Sequence, residues 1–131
     1  MIFDTTVWID FLAQKQTNLT ELLNEKIRNH YHFHICMPII QEILQGIRDD
    51  RQFYLVKELI SELDLLEADA WASSVGAATM YRNLRKRGVT IRKSQDCLIA
   101  WYAISYDLEL AHNDRDFDLI AAHTPLKVIT L

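Results

Sequence analysis

Glycine and proline are scarce, at three and two of 131 residues. Turn-rich all-β architectures need both, so their scarcity points to helices. Cysteine is limited to Cys36 and Cys97, far apart and in apolar surroundings. That excludes a disulfide framework and a Cys-x-x-Cys zinc site, and fits two buried thiols in a reducing cytoplasm. No apolar run approaches the ~20 residues that span a bilayer. No basic leader with a long apolar stretch follows Met1, so no secretory signal is expected. An excess of positive charge is also missing. The formal charge of −4 does not announce a nucleic-acid binder, yet leaves room for a local basic patch. Neither a GxxxxGK(S/T) loop nor a GxGxxG fingerprint occurs. Asp4-Thr5-Thr6 lacks the second Asp of an aspartyl-phosphatase signature, and no Gly-x-Ser-x-Gly elbow is present.

What is there is hydrophobic in half its residues, enough for the core of one domain spanning residues 1–131. Ile2 and Phe3 read as the end of a buried strand, followed by a helix with Val7, Trp8, Phe11 and Leu12 on one face. Thr17 or Asn18 caps a helix bearing Leu19, Leu22, Leu23 and Ile27. Residues 31–37 read as a strand. Pro38 then opens a helix with an apolar stripe of Ile39, Ile40, Ile43, Leu44 and Ile47, in which Gly46 allows close packing. A helix runs from Asp50 to about Leu63, and a short strand follows around 63–67. Asp69 caps a long helix holding Trp71, Val75, Ala78, Met80 and Leu84, stopped by Gly88. Ser94-Gln95-Asp96 opens the most apolar helix of the chain, expected to be central and buried. A strand at 108–111, a helix from Asn113 and a strand at 126–131 complete the order β-α-α-β-α-α-β-α-α-β-α-β. Strands alternating with helices imply an α/β fold with a mainly parallel sheet of four to five strands.

Four acidic residues have an unusual setting. Asp4 follows a buried strand, Glu42 flanks an isoleucine-rich helix face, Asp96 begins the most buried helix, and Asp114 follows a strand, with Asp116 two residues on. Clustered carboxylates repel one another unless a cation sits among them, and oxygen ligands suit a hard divalent ion. Asp4, Asp96 and Asp114 each also stand at an expected helix start, where a carboxylate caps the free N–H groups. Glu42, four residues inside its helix, has no such explanation. Asp10 reads only as a polar residue of the first helix. His30, His32 and His34 lack the partners of a zinc site and read as polar residues of an edge strand. Arg82, Arg85, Lys86, Arg87, Arg92 and Lys93 make the dense basic patch of the chain. Complementing a helix C-terminus and holding RNA phosphates both remain open for it.

These motifs resemble the PIN-domain ribonucleases of the VapC type, the toxin half of type II toxin–antitoxin pairs. The resemblance rests on Asp4-Thr5-Thr6-Val7-Trp8-Ile9-Asp10, on Glu42 within Ile39–Gly46, on Ser94-Gln95-Asp96-Cys97-Leu98-Ile99-Ala100, and on His112-Asn113-Asp114-Arg115-Asp116-Phe117. It covers nearly the whole chain. It implies a PIN-like fold and a Mg²⁺- or Mn²⁺-dependent endoribonuclease, with Asp4, Glu42, Asp96 and Asp114 as the acidic quartet. Asp116 matches a further acidic position that shares or replaces Asp114 as a ligand, and Thr6 matches a hydroxyl that bonds within the site. His112 stands where Ser or Thr is more usual, and Trp101 is bulkier than expected. The resemblance further implies a VapB-type antitoxin partner, an RNA substrate, and a homodimer or toxin–antitoxin hetero-oligomer with no membrane association. For the oligomer, the apolar helix around residues 55–63 is a candidate interface. A catalytically silent module that binds RNA or a protein is the alternative, and its mark would be a missing acidic position.

Overall fold

The computed structural model describes residues 1–129 and 131. Five short strands form one parallel sheet in the order β3-β2-β1-β4-β5: β1 (Ile2–Phe3), β2 (His34–Ile35), β3 (Asp64–Leu65), β4 (Glu109–Ala111) and β5 (Lys127–Ile129). Among the described residues, seven helices flank it: α1 (Thr5–Leu12), α2 (Asn18–Arg28), α3 (Met37–Gly46), α4 (Asp50–Ser61), α5 (Ala70–Lys86), α6 (Ser94–Ser105) and α7 (Arg115–His123). The expected element order is therefore present, and the parallel α/β class with it. Residue 130 of the last expected strand lies outside the described residues. None of the described helices is long and apolar enough to cross a membrane.

β1 is the centre of the sheet because both of its residues are fully apolar and face helices on either side; Ile2 and Phe3 are essentially inaccessible. Ile2 pairs with His34 on one side and with Leu110 on the other. The chain thus steps outward through β2 and β3, returns, and lays β4 against the free side of β1. That reversal of winding puts a topological switch point between β1 and β4, and open α/β sheets commonly present their ligand sites beyond the C-terminal strand ends at such a point. Helices run back antiparallel to the strands, so the start of α1, α3, α6 and α7 is brought to that same edge.

The core agrees with the helical periodicity in α1, α3 and α6. Val7, Trp8, Ile39, Ile43, Ile99 and Ala103 are buried in one cluster with the strands. In α4, Val56 and Ile60 belong to this core, while Tyr54 and Leu55 face solvent. Cys36 and Cys97 are free and buried. Burial pushes their thiols up to about 12 and about 11, so neither is a nucleophile.

Four local expectations are corrected. The strand at 31–37 shrinks to His34–Ile35, and it is interior, between β1 and β3. His30 and His32 lie outside it in the turn after α2, where His30 has a φ of 53°, so the histidines are not an edge-strand row. Second, the stripe assigned to α5 mixes two faces. Ser73, Ala77, Met80 and Leu84 turn inward along α6, while Trp71, Val75 and Ala78 are exposed. In an alanine-rich helix both faces carry small apolar residues, so periodicity alone does not choose. Third, Gly46 has nothing within 4 Å of where a Cβ would stand. Gly76 does: a Cβ there would overlap the Trp101 indole. The bulk of Trp101 is thus accommodated by a missing side chain on the facing helix. Fourth, Asp96 is not a helix cap, for reasons given below.

Candidate functional site

Asp4 leaves the end of β1 and its backbone N–H continues the ladder by donating to the Ala111 carbonyl at 2.8 Å. Its extended backbone makes it the N-cap of α1. One carboxylate oxygen, Oδ2, accepts from the Thr6 N–H at 3.0 Å and from the Thr6 hydroxyl at 2.6 Å. The Thr6 hydroxyl, having given away its proton, accepts from the Asn113 N–H at 3.0 Å. A single hydroxyl thereby ties the loop after β4 to the carboxylate after β1. Burial nevertheless raises the pKa of Asp4, against the pull of these bonds.

Asp10 lies one turn on from Thr6 and faces the same loop. It is buried, and its Oδ2 accepts from the Asn113 side-chain amide at 3.1 Å, with Lys15 at 3.3 Å from the other oxygen. It is therefore more than a surface residue of the first helix. The spacing of Thr6 and Asp10, four apart on one helical face, was the available signal. Asn113 could not be found this way, since its partners are distant in sequence.

Glu42 is half-buried on the second turn of α3, and its Oε1 has no hydrogen-bond partner. Its pKa is raised by burial first and then by the charge of Asp4, with Lys93 acting in the opposite sense. Asp96 is buried in the first turn of α6. The cap position of that helix is Lys93, which makes no side-chain bond, and the Asp96 Oδ2 is buried without a partner. Three residues into the helix, its side chain bonds none of the free N–H groups as Asp4 does. Burial, then the charges of Asp4 and Asp114, push its pKa up to about 7, against Lys93. The mutual effects join Asp4, Glu42, Asp96 and Asp114 into one electrostatic unit.

Asp114 is the N-cap of α7; its Oδ1 accepts from the Asp116 N–H at 3.0 Å. The same oxygen takes Nη2 of Arg92 at 2.8 Å. Asp116 is almost fully buried, and its Oδ2 accepts from Nε of Arg92 at 3.1 Å and from the Arg92 backbone N–H at 3.2 Å. The hydrogen bond to Asp116, with both acidic charges, raises the already high pKa of Arg92. Buried His112 accepts from the Asp114 N–H through Nδ1 at 3.1 Å. Its proton is therefore on Nε2, which stands 3.2 Å from Asp118.

The basic patch divides in two. Arg82, Arg85, Lys86 and Arg87 are exposed at the end of α5, beside Gly88 in the left-handed region that stops the helix. Lys93 acts electrostatically on Glu42 and Asp96. Arg92, expected with the others on RNA, is instead bonded to two of the acidic residues.

The donor set is all oxygen: carboxylates, one of them a buried orphan at Asp96 and one a half-buried orphan at Glu42. Such donors fit a hard divalent cation and do not fit zinc or copper. Among the described residues, no three His, Cys, Asp or Glu side chains yet close around one point.

Residues 1–122 match the PIN domain family. The VapC ribonuclease Mb1587 of Mycobacterium bovis is 33% identical over 131 residues, covering 97% of this chain and 96% of that one. A DNA-bound VapBC structure from Salmonella typhimurium superposes with a TM-score of 0.76 at 21% identity, over 98% of this chain and 95% of that one. A toxin–antitoxin complex from Klebsiella pneumoniae does so with a TM-score of 0.70 at 19% identity, over 98% and 95%. At these identities the two structures speak to the fold alone.

Proposed function

The chain belongs to the PIN-domain family, and from that premise we propose that it is a metal-dependent endoribonuclease of the VapC kind, acting as one domain over residues 1–131. The observation that carries this reading is the pair of unpartnered oxygens, Asp96 Oδ2 and Glu42 Oε1, in an electrostatic unit with Asp4. Buried polar atoms are ordinarily satisfied, and these two are costly unless something else completes them. The relative named as a ribonuclease supports the reaction class.

Asp4, Asp96 and Glu42 would hold the ion, Mg²⁺ or Mn²⁺, with Asp114 at the rim. The chemistry such an ion would supply there is a more acidic bound water and a counter-charge for the scissile phosphate. The protein's part is positioning. Thr6 fixes the rotamer of Asp4 by bonding one of its oxygens and leaves the other free. Glu42, with its raised pKa, is suited to orient or accept a proton from the attacking water. His112 holds the Asp114 backbone. Arg92 bonds both Asp114 and Asp116; of the two, Asp114 is the one whose charge also acts on Asp96, and we assign it to the rim of the site. Lys93 and the exposed end of α5 would take flanking RNA phosphates. The 33% identity to a protein named a VapC ribonuclease supports a VapB-type antitoxin as partner.

The decisive experiment is cleavage of RNA with Mn²⁺ by Asp4→Asn and Asp96→Asn variants whose circular dichroism matches that of the parent. Both are expected to lose at least 10²-fold in rate, the scale of removing one transition-state charge contact. Full activity in either would remove the quartet from the mechanism.

A further inference from the structure

The Arg92 side chain is 66% exposed, yet its polar end is bonded into the acidic site. It sits between α5 and α6, next to buried Ile91. Three of its N–H groups go to two carboxylates that are nearly buried, with side chains 11% and 4% exposed. The backbone N–H and Nε converge on one oxygen of Asp116, and Nη2 reaches Asp114. A planar fork that spans two acids is a geometry lysine cannot copy. The backbone bond also anchors the loop itself, so the guanidinium is delivered to a set place.

The charge of the site is therefore divided. Asp114 and Asp116 have their cation. Asp4, Glu42 and Asp96 do not: Asp96 is buried with Oδ2 free, Glu42 has Oε1 free, and among the described residues the positive charge acting on both is that of Lys93 alone. One half of the acidic site is thus neutralised by the chain, and the other half is left for a ligand. Two divalent ions sharing phosphoryl chemistry stand ~3.5–4 Å apart. The carboxylates left for a second are Asp114 and Asp116, and Arg92 already bonds one oxygen of each.

Building on the metal-dependent reading above, we propose that Arg92 is a built-in cation filling the Asp114–Asp116 half of the site. The chain then holds one divalent ion, between Asp4, Glu42 and Asp96, and admits a second only when Arg92 is withdrawn.

The test is the number of Mn²⁺ ions bound per chain, read by calorimetric titration and by electron paramagnetic resonance of free Mn²⁺. The parent protein is expected to bind one and Arg92→Ala two. Arg85→Ala, which removes a guanidinium that lies over Tyr81 and not on a carboxylate, is expected to bind one. Two ions in the parent overturn the proposal whatever the variants do, so it stays testable even if Arg92→Ala fails to fold. One ion in folded Arg92→Ala also overturns it, as do two in Arg85→Ala. No ion in the folded parent overturns the metal-dependent reading itself, and this proposal with it.

Discussion

Removing the charge of Asp96 should make the metal-free protein more stable while making it useless as a nuclease. Its carboxylate is buried among other acids, and its pKa is pushed from 3.8 to about 7. Below the ordinary aspartate value the group is protonated in both folded and unfolded chains and costs nothing. Above about 7 it is charged in both, and the folded chain bears the full penalty. In between, the folded chain keeps a proton that the unfolded chain has released, so stability falls as pH rises. A shift of about three pH units corresponds to about 4 kcal/mol. Water at the rim of the site screens part of the repulsion, leaving roughly half, about 2 kcal/mol. Asp96→Asn keeps the shape and deletes the charge. Melted in a chelator near pH 8, it should gain roughly 8 °C in Tm, the equivalent of that energy in a chain of this size. Near pH 4 the gain should vanish. Saturating Mn²⁺ should reverse the order, because an ion that binds only the folded parent stabilises it by mass action. A lower Tm for Asp96→Asn near pH 8 would refute the reasoning, and so would a gain of equal size at both pH values.

Two further perturbations probe other links. Gly76→Ala should destabilise the fold by about 1–2 kcal/mol, the cost of overpacking less the helix propensity that alanine returns. Urea denaturation should find most of that loss restored when Trp101→Leu is added, and an increase in the Gly76→Ala midpoint would contradict the overlap. Neutralising Arg82, Arg85 and Lys86 together should reduce the slope of RNA affinity against salt by about 2, if each holds one phosphate of a single strand. An unchanged slope in a filter-binding series would return the cluster to its role at the end of α5.

Glu42 shows what could be read from sequence. It sits beside an isoleucine stripe with no capping explanation, and in the structure it is half-buried with a free oxygen. Asp4 was legible twice over, as a cap and as a carboxylate at a strand end, and it is both. Asp96 was legible as an acid at the start of a buried helix but not as an orphan. Whether an acid near a helix start bonds the free N–H groups depends on a single residue of offset, and boundaries are uncertain by more than that. The bonds of Arg92 to Asp114 and Asp116 were not legible for a different reason. A basic run has no period, so nothing local tells which of its members folds back on acids more than twenty positions away. The two faces of α5 failed in a third way, because alanine satisfies either side.

The two-residue central strand also bears on how the molecule assembles. Ile2 pairs with Leu110, almost the full chain away, and Thr6 meets Asn113 across the same seam. Neighbouring helices such as α1 and α2 can dock early and locally, but the seam can close only after nearly all of the chain is available. Contacts of such sequence separation slow folding, because the loop they close is long. A chain still emerging from the ribosome, or one cut before β4, would carry Asp4 and Glu42 without the residues that complete their setting. The acidic edge therefore rests on contacts that span nearly the whole chain, and a break at the β1–β4 seam would part Asp4 and Thr6 from Asn113 and Asp114.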